Sequence, residues 1–189
     1  MPLVRELDNE RDVIQRLQAG DLRAYETVFR HFEQPLLSVG RRMLGNKEEA
    51  EDAVQNTFLK LYRSREQFQY GAKFGTYLFR IMMNVCFDLL RKRKDESAKE
   101  LPEIALSYSP GIEMRVQLEE AIGRLPERMR ACFVMFALEE MKQEDIAAAL
   151  DLSVGTVKAQ IFHAKQKLRG LLAESPINSP LEGGQGGVL

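Results

Sequence analysis

The chain has 189 residues, of which 44% are hydrophobic and 29% charged, and its formal net charge is −1. This composition is typical of a globular protein and excludes disorder throughout. No apolar run reaches the roughly 18 residues that a membrane span needs, and the first residues lack the apolar core of a secretion signal. We therefore expect a cytoplasmic protein without membrane insertion. The two cysteines and two histidines stand apart, so we expect no disulfide and no metal site.

Charge is unevenly distributed along the chain. Residues 73–94 carry six basic side chains and one acidic one, and residues 153–169 carry four basic side chains and no acidic one. A run of cations can simply end a helix, and this is the better explanation for residues 91–94 alone. Two basic segments that also carry amide and aromatic side chains favour the binding of phosphates in a nucleic acid.

The N-terminal part of the chain is predicted to be helical, because its apolar residues recur at helical spacing and none alternate as in a strand. Asp21 is predicted to cap a first long helix, which Pro35 is expected to break or kink. Asn46 and Glu49 form the pattern of a capping box and predict the start of the next helix.

The helix predicted over residues 47–63 has two different faces. Its apolar face carries Ala50, Val54, Thr57, Phe58 and Leu61. Its opposite face carries Asp52, Gln55, Asn56, Leu59 and Arg63. A polar face with one leucine at its centre is compatible with a docking surface, but spacing alone favours a solvated surface.

A third helix is predicted from about Phe74 to Lys94. Its apolar stripe consists of Phe74, Leu78, Ile81, Val85 and Leu89, and a second face carries Lys73, Tyr77, Arg80, Asn84, Phe87 and Arg91. Cations neutralise phosphates, asparagine can pair with a base edge, and rings stack on unpaired bases. Phe68 and Tyr70, just upstream, are either base-stacking rings or half-buried core residues.

The strongest local pattern is a predicted helix-turn-helix. Residues 143–150 form a short helix, residues 151–153 a break capped by Ser153, and residues from 154 a second helix. The residues expected to pack between them are Ile146, Leu150, Val157, Ile161, Ala164 and Leu168. Those expected to project outward are Gly155, Lys158, Ala159, Phe162, His163 and Gln166. Helix pairs are common, but a basic second helix without acids favours DNA binding.

Two helical lobes are expected, with a linker between them and a tail after them. Residues 1–94 form the first lobe, residues 95–113 a linker with proline, serine and glycine, and residues 114–173 the second lobe. Residues 174–189 include two prolines and four glycines and have no apolar period, so we expect a disordered tail.

Four segments in this order resemble bacterial RNA polymerase sigma factors of the extracytoplasmic-function class. They are GDLRAYETVFRHF, EEAEDAVQNTFLKLYR, FGTYLFRIMMNVCFDLLRKRK and LPERMRACFVMFALEEMKQEDIAAALDLSVGTVKAQIFHAKQKLR, and the resemblance covers residues 21–172. It implies an all-α protein with two small helical domains, sigma region 2 and a sigma region 4 with the helix-turn-helix, joined by a flexible linker. It also implies a protein without catalysis or cofactor that directs promoter-specific transcription initiation.

The resemblance assigns partners and residues as well. The implied partners are core RNA polymerase, through its clamp helices and flap, promoter DNA, and a controlling anti-sigma factor. The residues implied to bind the polymerase are Asp52, Gln55, Asn56, Leu59 and Arg63. Those implied to bind and help melt the −10 element are Phe68, Tyr70, Lys73, Tyr77, Arg80, Asn84 and Arg91. Those implied to read the −35 element are Ser153, Thr156, Lys158, Ala159, Gln160, Phe162, His163 and Lys165.

The chain departs from the family pattern at a few of these positions. The family often has tryptophan where Tyr77 stands, and tyrosine offers a smaller ring for stacking. It usually has serine at Ala159 and arginine at Gln160 and His163, so the resemblance implies an altered −35 preference.

Two other classes of protein remain open from the residues alone. One is a helix-turn-helix regulator with an N-terminal dimerisation lobe, which would bind its operator unaided. It leaves the basic and aromatic helix over residues 73–94 unexplained. The other is a helical adaptor that binds no DNA.

Overall fold

The computed structural model describes residues 7–70, 73–97 and 112–173, and these ranges contain eight α-helices and no β-strand. A 3₁₀ turn, Arg65–Gln67, follows the third helix. The helices are α1 (Glu10–Gln18), α2 (Leu22–Leu44), α3 (Lys47–Arg63), α4 (Phe74–Ser97), α5 (Ile112–Gly123), α6 (Glu127–Ala137), α7 (Gln143–Leu150) and α8 (Val154–Ala173). The all-α prediction is confirmed. The tail and most of the linker lie outside the described residues.

The predicted N-caps of α2 and α3 are both confirmed. The Asp21 carboxylate accepts a hydrogen bond from the Arg23 backbone N–H at 2.8 Å, and the Asn46 side chain accepts one from the Glu49 N–H at 3.1 Å. The second half of the capping box has a different partner, because the Glu49 carboxylate pairs with Arg93 on α4. Glu49 therefore links α3 to α4.

Of the predicted break or kink at Pro35, the break is wrong, because α2 runs without interruption from residue 22 to residue 44. Proline has no N–H to donate to the carbonyl four residues earlier, which weakens a helix locally. Pro35 is nevertheless buried, and Phe32, Leu36 and Val39 beside it are almost wholly buried in the core. The burial of this apolar face offsets the missing hydrogen bond.

The first lobe is built around α2, α3 and α4, with α1 packed on α2. The three central helices meet at Gly40. A Cβ atom at this position would lie 2.8 Å from the Met82 Cε on α4 and 3.2 Å from the Ala50 Cβ on α3. A side chain at this position would force the end of the Met82 side chain to move and would crowd Ala50, so glycine suits this close packing of the three helices.

The second lobe consists of α5 to α8, in which α6 and α7 both pack on α8. The predicted boundaries of α7 and the start of α8 are confirmed. The predicted core residues of the helix pair are buried, except for Leu150, which is half-buried.

Helix α4 is buried on more than the single stripe that was predicted. Ile81 and Leu89 from that stripe are only half-buried, whereas Phe79 and Met83, which lie outside it, are wholly buried. The reason is that α4 packs against α2 and α3 in its own lobe and also against α7 of the second lobe.

The two lobes therefore contact each other directly. Helix α2 packs against α5 and α6, and α4 packs against α7. No helix in the described part of the chain is both long and apolar enough to cross a membrane.

Candidate functional site

Helix α3 has the two different faces that the sequence predicts. Its apolar residues are buried, and the five residues of the opposite face, Asp52, Gln55, Asn56, Leu59 and Arg63, are all exposed. Leu59 is the apolar centre of this face, with 52% of its surface exposed. An exposed leucine ringed by carboxylate, amide and guanidinium groups has the anatomy of a protein-docking patch.

Phe68 lies in the core rather than on the surface. Its ring is only 5% exposed, and its centroid lies 5.3 Å from those of Phe74 and Tyr77. Gln18 also donates a hydrogen bond to the Phe68 carbonyl at 3.0 Å. In this conformation the Phe68 ring is not available to an extruded base, and it supports the other rings instead.

Tyr70 and Tyr77 are the accessible rings of this cluster. Tyr70 is 52% exposed, and its hydroxyl donates to the Gln18 side chain at 3.3 Å. Tyr77 is half-buried, and its hydroxyl lies 3.0 Å from the Ser64 hydroxyl. Both rings are therefore held by a polar contact at the hydroxyl end.

The polar residues along α4 are brought to one region of the surface. Arg80, Asn84 and Arg91 are exposed, and Arg91 pairs with Asp88 at 2.9 Å. Lys73 is exposed as well, but its ammonium lies 3.1 Å from the Asp145 carboxylate on α7. The cationic side chains thus follow the accessible rings along one surface of the first lobe.

The turn of the helix-turn-helix has the predicted cap. Helix α7 ends at Leu150, and the next residue, Asp151, has the left-handed conformation with φ 54° before the chain turns into α8. The Ser153 hydroxyl accepts a hydrogen bond from the Thr156 N–H at 3.0 Å and lies 2.8 Å from the Thr156 hydroxyl. This cap fixes the direction in which α8 leaves the turn.

The outer face of α8 projects as the sequence predicts. Gly155, Lys158, Ala159, Phe162, His163 and Gln166 are all exposed. The Phe162 ring is 58% exposed, which is unusual for a large apolar side chain. Lys165 is exposed with its ammonium 5.1 Å from the Phe136 ring centroid, and Gln160 is half-buried. The surface combines cations with an accessible ring, as nucleic-acid-binding surfaces do.

Sequence reasoning missed a set of polar residues between the lobes. They are Ser38 and Arg42 on α2, Glu119 on α5, Arg130 on α6, and Glu139 just after α6. Burial raises the pKa of the Glu139 carboxyl and lowers the pKa of the Arg130 guanidinium. Because these residues come from several elements, no local spacing indicates them. The available signal was a charged residue inside an otherwise apolar segment.

The two lobes match two family models, one each. Residues 28–96 match Sigma-70 region 2, and residues 115–168 match Sigma-70, region 4. The sigma factor SigM of Mycobacterium tuberculosis is 30% identical over 156 residues, which cover 82% of this chain and 80% of SigM. SigW of Bacillus subtilis is 28% identical over 181 residues, which cover 85% of this chain and 95% of SigW. Both are described as ECF RNA polymerase sigma factors.

Solved structures agree with this assignment. CnrH, solved with the cytosolic domain of CnrY, has a TM-score of 0.71 and 26% identity, covering 87% of this chain and 98% of CnrH. RpoE of Bartonella quintana shares the fold, with a TM-score of 0.68 and 21% identity.

The fold and the matches define an RNA polymerase sigma factor. The chain belongs to the extracytoplasmic-function class of this family. It binds core RNA polymerase and promoter DNA and directs the initiation of transcription at promoters.

Proposed function

We propose that each role of this sigma factor belongs to one of the surfaces described above. The α3 face centred on Leu59 binds the polymerase clamp helices, the surface along α4 binds and melts the −10 element, and α8 reads the −35 element. The observation that carries this proposal is the presence of one exposed basic helix face in each lobe, on α4 and on α8. The proposed domain boundaries are residues 1–94 and 114–173, with a linker over 95–113 and a tail over 174–189.

The −10 surface contributes two kinds of interaction. Arg80, Lys73 and Arg91 offer charge to phosphates, and Asn84 offers an amide to a base edge. Tyr70 and Tyr77 offer rings, and stacking on a ring is worth roughly 1–3 kcal/mol per base. Opening a base step costs a few kcal/mol, so capture of extruded bases shifts the DNA toward the open form.

The −35 surface reads duplex DNA. Helix α8 presents Lys158, Ala159, Phe162 and His163 outward, which suits a helix that enters the major groove. Gln160 is half-buried and contributes less, and Ser153 and Thr156 orient the start of the helix through the cap.

The chain acts by binding rather than by covalent chemistry. Each lobe is small, so its separate contact with DNA is weak, but attachment to the polymerase makes the second DNA contact effectively intramolecular. The proposed place of action is the cytoplasm, where the polymerase works. Control by an anti-sigma factor is proposed from the family resemblance and from the CnrH structure, which contains a second protein.

Run-off transcription with purified core polymerase on a promoter library tests this function. We expect promoter-specific transcripts only when the chain is added, and weak retention of the same promoters by the chain alone in a gel-shift assay. Tight binding to an operator without polymerase would instead identify a helix-turn-helix regulator, and no DNA binding with polymerase would identify an adaptor.

A further inference from the structure

Helix α1 lies beside the accessible rings of the proposed −10 surface. It precedes residues 28–96, which match Sigma-70 region 2, and none of the residues proposed to bind polymerase or DNA lies on it. It packs on α2 and also contacts the 3₁₀ turn Arg65–Gln67, which leads directly into Phe68 and Tyr70. The end of α1 is therefore close to the segment that carries the exposed Tyr70 ring.

The Gln18 side chain joins α1 to this segment through both groups of its amide. Its NH₂ group donates to the Phe68 carbonyl at 3.0 Å, and its carbonyl oxygen accepts from the Tyr70 hydroxyl at 3.3 Å. One orientation of the amide satisfies both bonds, because its donor faces an acceptor and its acceptor faces a donor. A single side chain thus holds the backbone at residue 68 and the far end of the ring at residue 70.

A second residue of α1 contacts the Tyr70 ring itself. The Arg11 guanidinium lies 5.9 Å from the centroid of this ring, close to the outer limit of a cation–π contact. Arg11 and Gln18 are seven residues apart, which is about two helical turns, so both side chains leave the same face of α1. Helix α1 therefore contacts Tyr70 at its ring and at its hydroxyl, while 52% of the residue stays exposed.

Helix α1 is itself held firmly on the first lobe. Its residues Val13, Ile14 and Leu17 are buried. At its end, the Arg16 guanidinium donates to the Asp21 carboxylate at 2.8 Å, and the same carboxylate caps α2. These contacts fix the corner between α1 and α2, so Gln18 is held in place relative to Tyr70 from a well-anchored helix.

Support of this kind affects how tightly a ring can bind a base. An exposed side chain loses rotamer freedom when it stacks on a ligand, and a side chain that is already held in one orientation avoids this cost. Residues 68–70 lie outside any helix, so helical hydrogen bonds do not orient Tyr70. The contacts from α1 supply that orientation instead.

We propose that α1 is part of the −10 surface, with Gln18 as a positioning residue that orients Tyr70 for stacking on an unpaired base and Arg11 as a second support of the same ring. This proposal rests on the proposed function, because it takes Tyr70 as a ring that captures a base of the melted −10 strand. Gln18 touches no base in this role. Its effect on DNA binding passes through residues 68–70.

Binding of the holoenzyme to a promoter fragment with an unpaired −10 strand measures this support. Gln18→Met keeps the length of the side chain but removes both hydrogen bonds, so it should weaken this binding about fivefold. Gln15→Met makes the same change at an exposed glutamine of the same helix and is the matched control. Neither variant should change the affinity for core polymerase or for a duplex that carries only the −35 element. Circular dichroism checks that both variants are folded.

A double-mutant cycle with Tyr70→Phe separates positioning from a general effect on stability. Tyr70→Phe removes the hydroxyl that donates to Gln18 but keeps the ring, and should by itself weaken binding about threefold. In its presence, Gln18→Met should cost only about twofold, because the two changes remove one shared contact. Fully additive losses would overturn the positioning role. If Gln18→Met does not fold, Tyr70→Phe breaks the same bond from the exposed side, and wild-type binding by Tyr70→Phe would then overturn the proposal.

Fluorescence of 2-aminopurine, placed in turn at each unpaired position of the −10 strand, reports the stacking directly. The position whose fluorescence changes most in Tyr70→Ala should also change in Gln18→Met and should not change in Gln15→Met. An unchanged signal in Gln18→Met would contradict an effect through the ring.

The role of Arg11 is tested by salt dependence. Arg11→Ala should weaken the same binding about twofold without changing its salt slope, because a cation that supports a ring neutralises no phosphate. A slope reduced by about one would make Arg11 a phosphate contact and would overturn its role as a support.

Tyr70→Ala distinguishes failure of this proposal from failure of the proposed function. We expect Tyr70→Ala to weaken binding about tenfold or more, as the loss of a stacking ring does. If it does so while Gln18→Met binds as the wild type does, the positioning role is wrong and the proposed function stands. If Tyr70→Ala itself binds normally, the proposed function of this ring is wrong, and the positioning role is overturned with it.

Discussion

The side chains predicted to bind DNA lie on an exposed outer surface of α8. Around α4, by contrast, many of the side chains predicted to bind DNA already contact other parts of the protein. On α8, Lys158, Phe162 and His163 project from a helix whose start is fixed by Ser153. Around α4, by contrast, Lys73 is bound by α7. The proposed −35 surface is exposed in the folded protein, whereas one cation of the proposed −10 surface already pairs with region 4.

The position of each helix explains this difference. Helix α8 packs against α5, α6 and α7 of its own lobe and leaves its remaining side to solvent. Helix α4 lies between α2 and α3 on one hand and α7 on the other.

The largest expected effect concerns the α3 face centred on Leu59, which is proposed to bind the polymerase and so to bring α4 and α8 to the promoter. Leu59→Asp places a charge at the centre of the α3 face and should weaken holoenzyme formation at least about thirtyfold, the loss typical of a hot-spot residue. Fluorescence anisotropy with labelled core polymerase measures this affinity. Leu22→Asp is the control, because Leu22 is also an exposed leucine of region 2. Wild-type affinity of Leu59→Asp would contradict the assignment of the clamp-binding face.

The second prediction concerns the α4 surface alone. Arg80→Ala and Asn84→Ala should leave holoenzyme assembly intact and reduce open-complex formation by about tenfold each, because each removes one contact to DNA. Permanganate footprinting of unpaired thymines reports the open complex. Lys92→Ala removes an exposed cation outside the proposed set and should melt promoters normally. Equal melting by all three variants would exclude a role for this face.

The third prediction concerns the α8 surface alone. Lys158→Ala should weaken binding to the −35 duplex about equally for all sequences and reduce the salt slope of the affinity by about one, as expected for a phosphate contact. Holoenzyme binding to duplex DNA at several salt concentrations gives this slope. Lys167→Ala removes another exposed cation of α8 that was not assigned to DNA. An unchanged slope for Lys158→Ala would place the phosphate contact elsewhere.

The fourth prediction concerns the cap that fixes the direction of the start of α8. Ser153→Ala removes the cap that accepts from the Thr156 N–H and should destabilise region 4 by about 1 kcal/mol. Thermal unfolding followed by circular dichroism measures the loss, and Ser153→Asp, which can also cap, should retain most of the stability. A melting temperature that Ser153→Ala leaves unchanged would mean that packing alone directs the helix.

The smallest expected effect is a pH dependence of docking. The Glu139 pKa is raised in the docked state by burial, and Ser38, Arg42 and, through Arg42, Glu119 surround it. Protonation therefore favours docking, so the docked fraction should rise as the pH falls toward this pKa and decline as the pH rises above it. Double electron–electron resonance between spin labels at exposed positions of the two lobes, Gln34→Cys on α2 and Gly170→Cys on α8, shows this trend at a series of pH values. Glu139→Gln should abolish it, and an unchanged trend in that variant would assign it to another group.

Local features of the sequence predicted where a helix starts when a polar side chain caps that start. Asp21, Asn46 and Ser153 are short polar residues placed before apolar periods, so the starts of α2, α3 and α8 follow from the residues themselves. The exposed faces of α3 and α8 follow from the same periodicity, because each helix has a single buried side.

Features that depend on contacts between the lobes could not be predicted. Helix α4 is buried on more than one side, including Phe79 and Met83, because it packs against helices of both lobes. Glu139 is buried beneath a partner about a hundred residues away in the sequence. No spacing within one helix carries information about such neighbours.

The absence of a side chain at Gly40 has a consequence for how the polymerase and the DNA are aligned. This residue separates Ala50 on α3, the helix proposed to meet the enzyme, from Met82 on α4, the helix proposed to open the strands. A single added methyl group would force the end of the Met82 side chain to move and would press on Ala50. The close packing of the two helices, and with it the proposed alignment of the enzyme with the melted DNA, therefore depends on the missing side chain at the centre of region 2.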